Sequence, residues 1–169
     1  MSLSKHLRAQ LAAEVDASRR VIERVPASMH DWRPHEKSMG ALELATHIAN
    51  LLAWGAMVST TEELDFASDQ MKNWSPPTPD TIEGVLELLQ TNADQLGGIL
   101  EGLSEADLEA EWVMRSGDQV FSSEPRHFQL AKWVLSHQSH HRGQLTVYLR
   151  ENDVPVPGVF GPSADEQQM

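Results

Sequence analysis

Residues 137–145 read His137-Gln138-Ser139-His140-His141-Arg142-Gly143-Gln144-Leu145 and lie inside a longer stretch, Arg126 to Glu151, whose apolar residues recur at helical spacing. At about 100° per residue, His137 and His141 fall within about 40° of each other, on the stripe of Leu130, Val134, Leu145 and Tyr148. The stripe predicts a helix with both imidazoles facing inward. Two histidines at i and i+4 bring ring nitrogens close enough to share one ion. His140 projects about 60° from His137, toward the edge of the stripe, which makes it a rim residue or a reserve ligand. Asn152-Asp153 and the pair Pro155/Pro157 end the helix and start an irregular tail, 153–169.

Outward from this segment, three more stretches carry the helical period. The first runs from about Ser4 to Val25, with Leu7, Leu11, Val15 and Ile22 on one face and Pro26 as its stop. The second starts near Ser38 and continues past Trp54 to the polar run Ser59-Thr60-Thr61; His47 lies on its line of Leu44, Leu51, Trp54 and Val58. Trp74, Pro76, Pro77 and Pro79 mark a non-helical connection, after which Thr81 to about Leu103 resumes the period. Gly97-Gly98 weakens its last turns. Ser104 to Asp107 reads as a short capped helix, and Arg115 to Pro125 as a loop or small hairpin. The expectation is one all-α domain, a four-helix bundle spanning residues 1–169.

Three inward histidines, His47, His137 and His141, are costly to bury unsatisfied, at about 1–3 kcal/mol for each polar ring. A shared divalent metal removes that cost. For any one of them the competing reading is a core histidine hydrogen-bonded to backbone or to Tyr148. His6, His30, His35 and His127 read as surface or loop residues. Gln144 projects onto the core stripe, within reach of a ligand histidine. Arg142 points about 100° from His141, toward an interhelical ion pair, a dimer contact or substrate.

Composition narrows the chemistry. The 169 residues are 40% hydrophobic, enough for one real core, and carry a formal net charge of −12. Such a chain lacks the cations that direct nucleic-acid binding requires. It contains no cysteine, so a disulfide, a thiolate ligand and a cysteine nucleophile are all excluded, and any metal uses nitrogen and oxygen. No apolar run reads as the roughly 20 residues of a membrane span. The first residues, MSLSKHLRAQLAAE, become charged too early for a signal peptide, which gives a cytoplasmic expectation. A zincin needs glutamate where Gln138 stands. A ferritin-like dimetal centre needs paired Glu-x-x-His helices, and Glu124-Pro-Arg-His127 alone does not supply them. No nucleophile elbow, phosphate loop or dinucleotide fingerprint occurs. Trp54 and Trp133 read as core or pocket wall, and Glu62-Glu63 and Glu105/Asp107 as solvated surface.

Three segments resemble the DinB/YfiT-like superfamily of metal-dependent enzymes. Asp31-Trp32-Arg33-Pro34-His35-Glu36-Lys37-Ser38-Met39 is similar to its Trp-Arg-Pro approach to the second helix, with His47 following. His137 to Leu145 resembles its His-x-x-x-His-Arg-x-Gln motif, and Asn152 to Pro157 its continuation. The resemblance implies an up-up-down-down four-helix bundle with a long connection between helices two and three, often a homodimer. It also implies nickel or zinc on three histidines, which map onto His47, His137 and His141. Some relatives are transferases or isomerases that use a low-molecular-weight thiol. The resulting expectation is a metal-dependent, thiol-using S-transferase acting on a small-molecule electrophile. A metal-water hydrolase and a non-catalytic, metal-stabilised stress or binding protein are its alternatives.

Overall fold

The computed structural model describes residues 2–166; Met1 and residues 167–169 of the expected tail lie outside the described residues. Ser2 caps α1 (Leu3–Ile22), its hydroxyl accepting from Lys5 N, and Leu7, Leu11, Val15 and Ile22 are buried as the spacing predicts. Helix α2 (Ala41–Thr60) begins after Gly40 rather than near Ser38, and Gly40 N donates to Glu43 Oε2 at 3.2 Å. A helical turn α3 (Asp69–Lys72) interrupts the connection to α4 (Ile82–Gly102), which Thr81 caps through its hydroxyl. Gly97-Gly98 does not break α4. Ser104 and Asp107 cap each other at the start of α5 (Glu105–Glu109).

The last helix spans the expected residues in three parts. Helix α6 (Arg126–Gln129) leads into seven residues of π-helix, Leu130–Ser136, and then α7 (His137–Glu151). The wider π turn sits immediately before the first histidine, a placement common at functional sites.

Strictly all-α is not what forms. The chain is mostly helical, with a small sheet ordered β1 (Glu63–Asp65), β2 (Glu111–Ser116), β3 (Gln119–Pro125). The hairpin turns at Gly117, whose φ of 56° suits a residue without Cβ. β1 joins β2 in parallel, Leu64 opposite Met114, and Arg115 binds both Glu63 and Asp65. Glu63 is therefore an ion-pair partner, not only solvated surface. Trp112 and Met114 alternate inward, which anchors the sheet to the core.

Each long helix packs on two others: α1 on α4 and the last helix, α2 on α4 and the last helix. Contacts fix their directions. Tyr148 Oη reaches Met39 O, Gln138 Nε2 reaches Ile48 O, and Arg126 Nε reaches Val58 O, so α2 and the last helix are antiparallel. Arg8 pairs with Glu101 and Arg19 with Gln90, so α1 and α4 are antiparallel too. Asn92 Nδ2 meets Ala49 O while Leu96 lies beside Gly55, which makes α2 and α4 parallel. Parallel neighbours need a crossover the length of a helix, and residues 61–81 provide it. In chain order the helices run up, down, down, up, not the up-up-down-down order that the resemblance implied, because the consecutive parallel pair is α2 and α4 rather than α1 and α2.

Helix α2 is long and apolar enough to cross a membrane by length and composition, with a mean hydropathy of 1.3, contrary to the sequence expectation that no run comes close. Two thirds of that window, 67%, is buried inside the protein, so its apolarity serves the core. The tail after α7 is irregular but held. Arg150 binds Asp165 through both carboxylate oxygens, and Arg20 donates to Gly158 O.

Candidate metal centre

Antiparallel packing of α2 against the last helix brings His47, His137 and His141 together, with one ring nitrogen of each inside a group no wider than 4.8 Å. The rings of His47 lie 5.4 Å from His137 and 4.6 Å from His141, centroid to centroid. His141 is buried at 9% exposure, whereas His47 and His137 are half-buried, so the cluster lies at the edge of the core rather than inside it.

Hydrogen bonding decides which nitrogens are free. His141 Nδ1 donates to Gln144 Oε1 at 2.7 Å, which leaves its Nε2 as a lone pair. The His137 ring faces His141 with its Nε2. The two Nε2 atoms are 2.9 Å apart. A contact that short needs either a proton on His137 Nε2 or a metal ion between the two nitrogens. With metal–nitrogen bonds of about 2.0–2.1 Å, a pair this close can share one ion.

Electrostatics keeps all three rings neutral. Burial, then repulsion by His141 and His137, lowers the His47 pKa to about 4, against a smaller opposing pull from Glu43. Burial also lowers His137 and His141, only partly offset by the Trp133 and Gln144 hydrogen bonds. Neutral imidazole is the form that ligates a cation, so the donor set fits a borderline divalent ion such as zinc or nickel.

The remaining sequence candidates fall at different places. His140 is exposed, its ring 5.0 Å from that of His141, outside the cluster. Gln144 is exposed rather than on the core stripe, yet reaches His141 from the surface. Arg142, 3% exposed, makes the interhelical ion pair: it binds Glu14 of α1 and Ser139. His6 and His35 are exposed, and His127 stands 3.7 Å from Glu109.

Two contributors escaped the sequence reading. Gln138, noted there only as the wrong residue for a zincin, is fully buried and donates to Ile48 O, clamping the two ligand-bearing helices beside His47. A glutamine flanked by histidines on a helix was its one signal. Asn50, one turn after His47, donates to Pro77 O and ties the connection to α2. A groove of about 620 Å³ between α1 and α4 holds none of the histidines, and a cavity of about 250 Å³ at Glu43 and Thr46 of α2 is lined by His30 but by none of the three clustered histidines.

Mostly helical architecture with three neutral histidines at the seam of two antiparallel helices defines the class of protein. The chain belongs to the DinB superfamily, whose model matches residues 10–145, a span that includes all three histidines. It is 25% identical over 151 residues to YjoA, an uncharacterized protein of Bacillus subtilis, covering 89% of this chain and 92% of that one. A 37-residue segment is 46% identical to YrdA, also uncharacterized and from Bacillus subtilis, but covers 22% of either chain. Among solved structures, the DinB-like YjoA superposes with a TM-score of 0.70 at 22% identity, covering 91% of this chain and 97% of that one. A DinB-like protein of Bacillus cereus gives 0.68 at 18% identity, with 92% and 97% covered. Likeness at these identities carries the fold alone.

Proposed function

We propose that the chain binds one divalent transition metal, nickel or zinc, through His47, His137 and His141, and acts as a metal-dependent enzyme. The observation that carries this is the clustering of one ring nitrogen from each of His47, His137 and His141 within 4.8 Å of one another, with the His137 and His141 Nε2 atoms 2.9 Å apart. Three protein ligands leave a coordination position for water or substrate, the pattern of catalytic sites. The metal's contribution there would be to hold a thiol as thiolate, or water as hydroxide, near neutral pH. The residues do the rest. Gln144 holds the His141 ring in the ligating tautomer, Gln138 keeps the two helices in register, and Arg142 with Glu14 holds α7 against α1.

The reaction proposed is S-transfer from a low-molecular-weight thiol to a small electrophile. Metal-water hydrolysis ranks below it, because Glu43, the carboxylate felt by His47, caps Gly40 instead. The same reading takes the chain as a single cytoplasmic domain, a DinB-type four-helix bundle paired as a homodimer, with no direct nucleic-acid partner. A non-catalytic, metal-stabilised binding protein is favoured by one observation, the position of the histidines at a helix seam. Removal of the ion with chelator distinguishes the two: loss of fold supports the structural role, a retained fold the catalytic one.

Elemental analysis of untagged protein tests the core claim. About one nickel or zinc per chain is expected in the wild type, with loss in His47→Ala and His137→Ala. Equal metal content in all three proteins would overturn it.

A further inference from the structure

Trp32-Arg33-Pro34, in the loop between α1 and α2, takes no part in the histidine cluster. Trp32 is held on both sides: its ring packs 5.3 Å from that of Tyr148, and its carbonyl accepts from Ala41 N. Arg33 follows it and lines the cavity of about 250 Å³ beside α2, its guanidinium in no ion pair or hydrogen bond among the described residues. A Cβ on Gly40 would stand 3.5 Å from Arg33 Nη2 and 3.1 Å from His30 O, so the missing side chain lets the guanidinium lie against the first turn of α2.

Three segments wall this cavity: Asp31 and Arg33 from the loop, Glu43 and Thr46 from α2, and Thr78 with Pro79 from the end of the connection. Thr46 is 7% exposed, and its hydroxyl has no hydrogen-bond partner among the described residues. A threonine inside a helix can bond the carbonyl four residues earlier, as Thr60 does to Ala56 O; Thr46 does not. Its oxygen is not one of the unbonded polar atoms sealed in the core, so the little exposure it keeps opens on the cavity. Buried polar groups are bonded in the great majority of cases, and here the missing partner must come from what the cavity holds. The helix terminus contributes no free donor of its own at this point: Gly40 N donates to Glu43, Ala41 N to Trp32 O and Leu42 N to His30 O. An anionic group in the cavity is therefore met by Arg33.

We propose that the cavity binds a small α-amino acid by its head group, the carboxylate on Arg33 and the Thr46 hydroxyl, the ammonium between Asp31 and Glu43. The charges select this form. A guanidinium grips a carboxylate through two parallel bonds, while Asp31, itself in no ion pair among the described residues, and Glu43 Oε1, left over when Oε2 caps Gly40, accept from an ammonium. A plain anion would meet two carboxylates and a plain cation the guanidinium; a zwitterion satisfies all three and, being neutral overall, is not repelled by a net charge of −12. Leu42 and Pro79 leave apolar wall for a short side chain, and the volume is just below the range of about 300–1,000 Å³ that holds drug-sized ligands. Glu43 precedes His47 by one helical turn and Thr46 adjoins it, so the bound molecule stands beside the histidine cluster. That it is the substrate of the metal centre rests on the function proposed above; its binding does not.

The test is calorimetric titration of the full-length protein with L-leucine, with N-acetyl-L-leucine, which lacks the ammonium, and with L-leucine methyl ester, which lacks the carboxylate. Wild type is expected to bind L-leucine with a Kd below about 10 mM and each blocked form at least about tenfold more weakly, the loss of one charged hydrogen-bonding group. Arg33→Gln should weaken leucine binding by about tenfold or more and Thr46→Val by about three- to tenfold; Arg33 is exposed, so its replacement leaves the core intact, which circular dichroism checks. An amino acid can also chelate a metal ion, and His47→Ala separates the two: leucine should bind this variant as tightly as wild type, whereas loss of binding with the fold intact would place the ligand on the metal and overturn the proposal. Equal affinity for the three compounds, no leucine binding below about 10 mM, or an unchanged affinity in Arg33→Gln would overturn it as well. Leucine binding by a wild type that takes up no metal would sink the metalloenzyme reading and leave the cavity standing; metal uptake without leucine binding would do the reverse.

Discussion

Replacing Gln144 by leucine removes the acceptor that fixes the His141 tautomer while leaving the core untouched, because Gln144 is exposed. Its Oε1 lies 2.7 Å from His141 Nδ1 and is the acceptor that keeps the proton there and the lone pair on Nε2. Without it the proton is free to occupy Nε2, and the ring must be reoriented before it ligates. Loss of such a supporting hydrogen bond costs about 10- to 100-fold in metal affinity, equivalent to about 1.4–2.7 kcal/mol. Competition against a chromophoric zinc chelator at pH 7.5 measures this directly. Gln144→Glu, which keeps an acceptor, should hold wild-type affinity or exceed it, and urea unfolding of the metal-free variants should match wild type. An affinity for Gln144→Leu within twofold of wild type, with the fold intact, would refute the idea that this residue sets the tautomer.

Acidification tests the electrostatics of the cluster. The folded-state pKa of His47, about 4, lies below its ordinary 6.5, so the unfolded chain takes up a proton first and metal-free stability falls as pH drops from about 6.5 toward 4. Urea midpoints across that window should fall less in His47→Leu than in wild type, whereas equal slopes would count against a depressed pKa. Metal occupancy, followed by equilibrium dialysis, should be lost at a lower pH than for a site of ordinary histidines, because all three rings are shifted downward. Glu14→Gln strands the buried Arg142 cation and should cost about 3 kcal/mol in urea unfolding, more than the paired change Glu14→Leu with Arg142→Met. Gly55→Ala would place a Cβ 2.6 Å from Leu96 Cδ2 and 3.3 Å from Val134 Cγ1; despite the better helix propensity of alanine it should destabilise by about 1–3 kcal/mol. A more stable variant would show that α2 and α4 have room to separate.

The sequence by itself determined most of the helical frame and pointed to the three histidines that the fold brings together. Periodicity located the four long helices because burial of one face per helix is written in residue spacing, as Leu7, Leu11 and Val15 show on α1. It also nominated His47, His137 and His141, because an i, i+4 pair on an inward stripe is a local property of one helix. The sheet was only half legible. The 111–125 hairpin carries a turn signal at Gly117, but β1 is three residues, Glu63–Asp65, whose strand state exists only because β2 arrives from fifty residues away to bond it. Tertiary structure alone decided the rest: that the histidines stand at the rim of the core, that Gln144 approaches His141 from solvent, that Gln138 reaches across to Ile48 O, and that the connection lays Trp74 and Pro77 along α2. Helical spacing gives the direction of a side chain about its own axis; it does not say how deep that helix sits or which neighbour faces it. Those are set by how four apolar faces of unequal width pack together, a sum over the whole core that no local stretch contains.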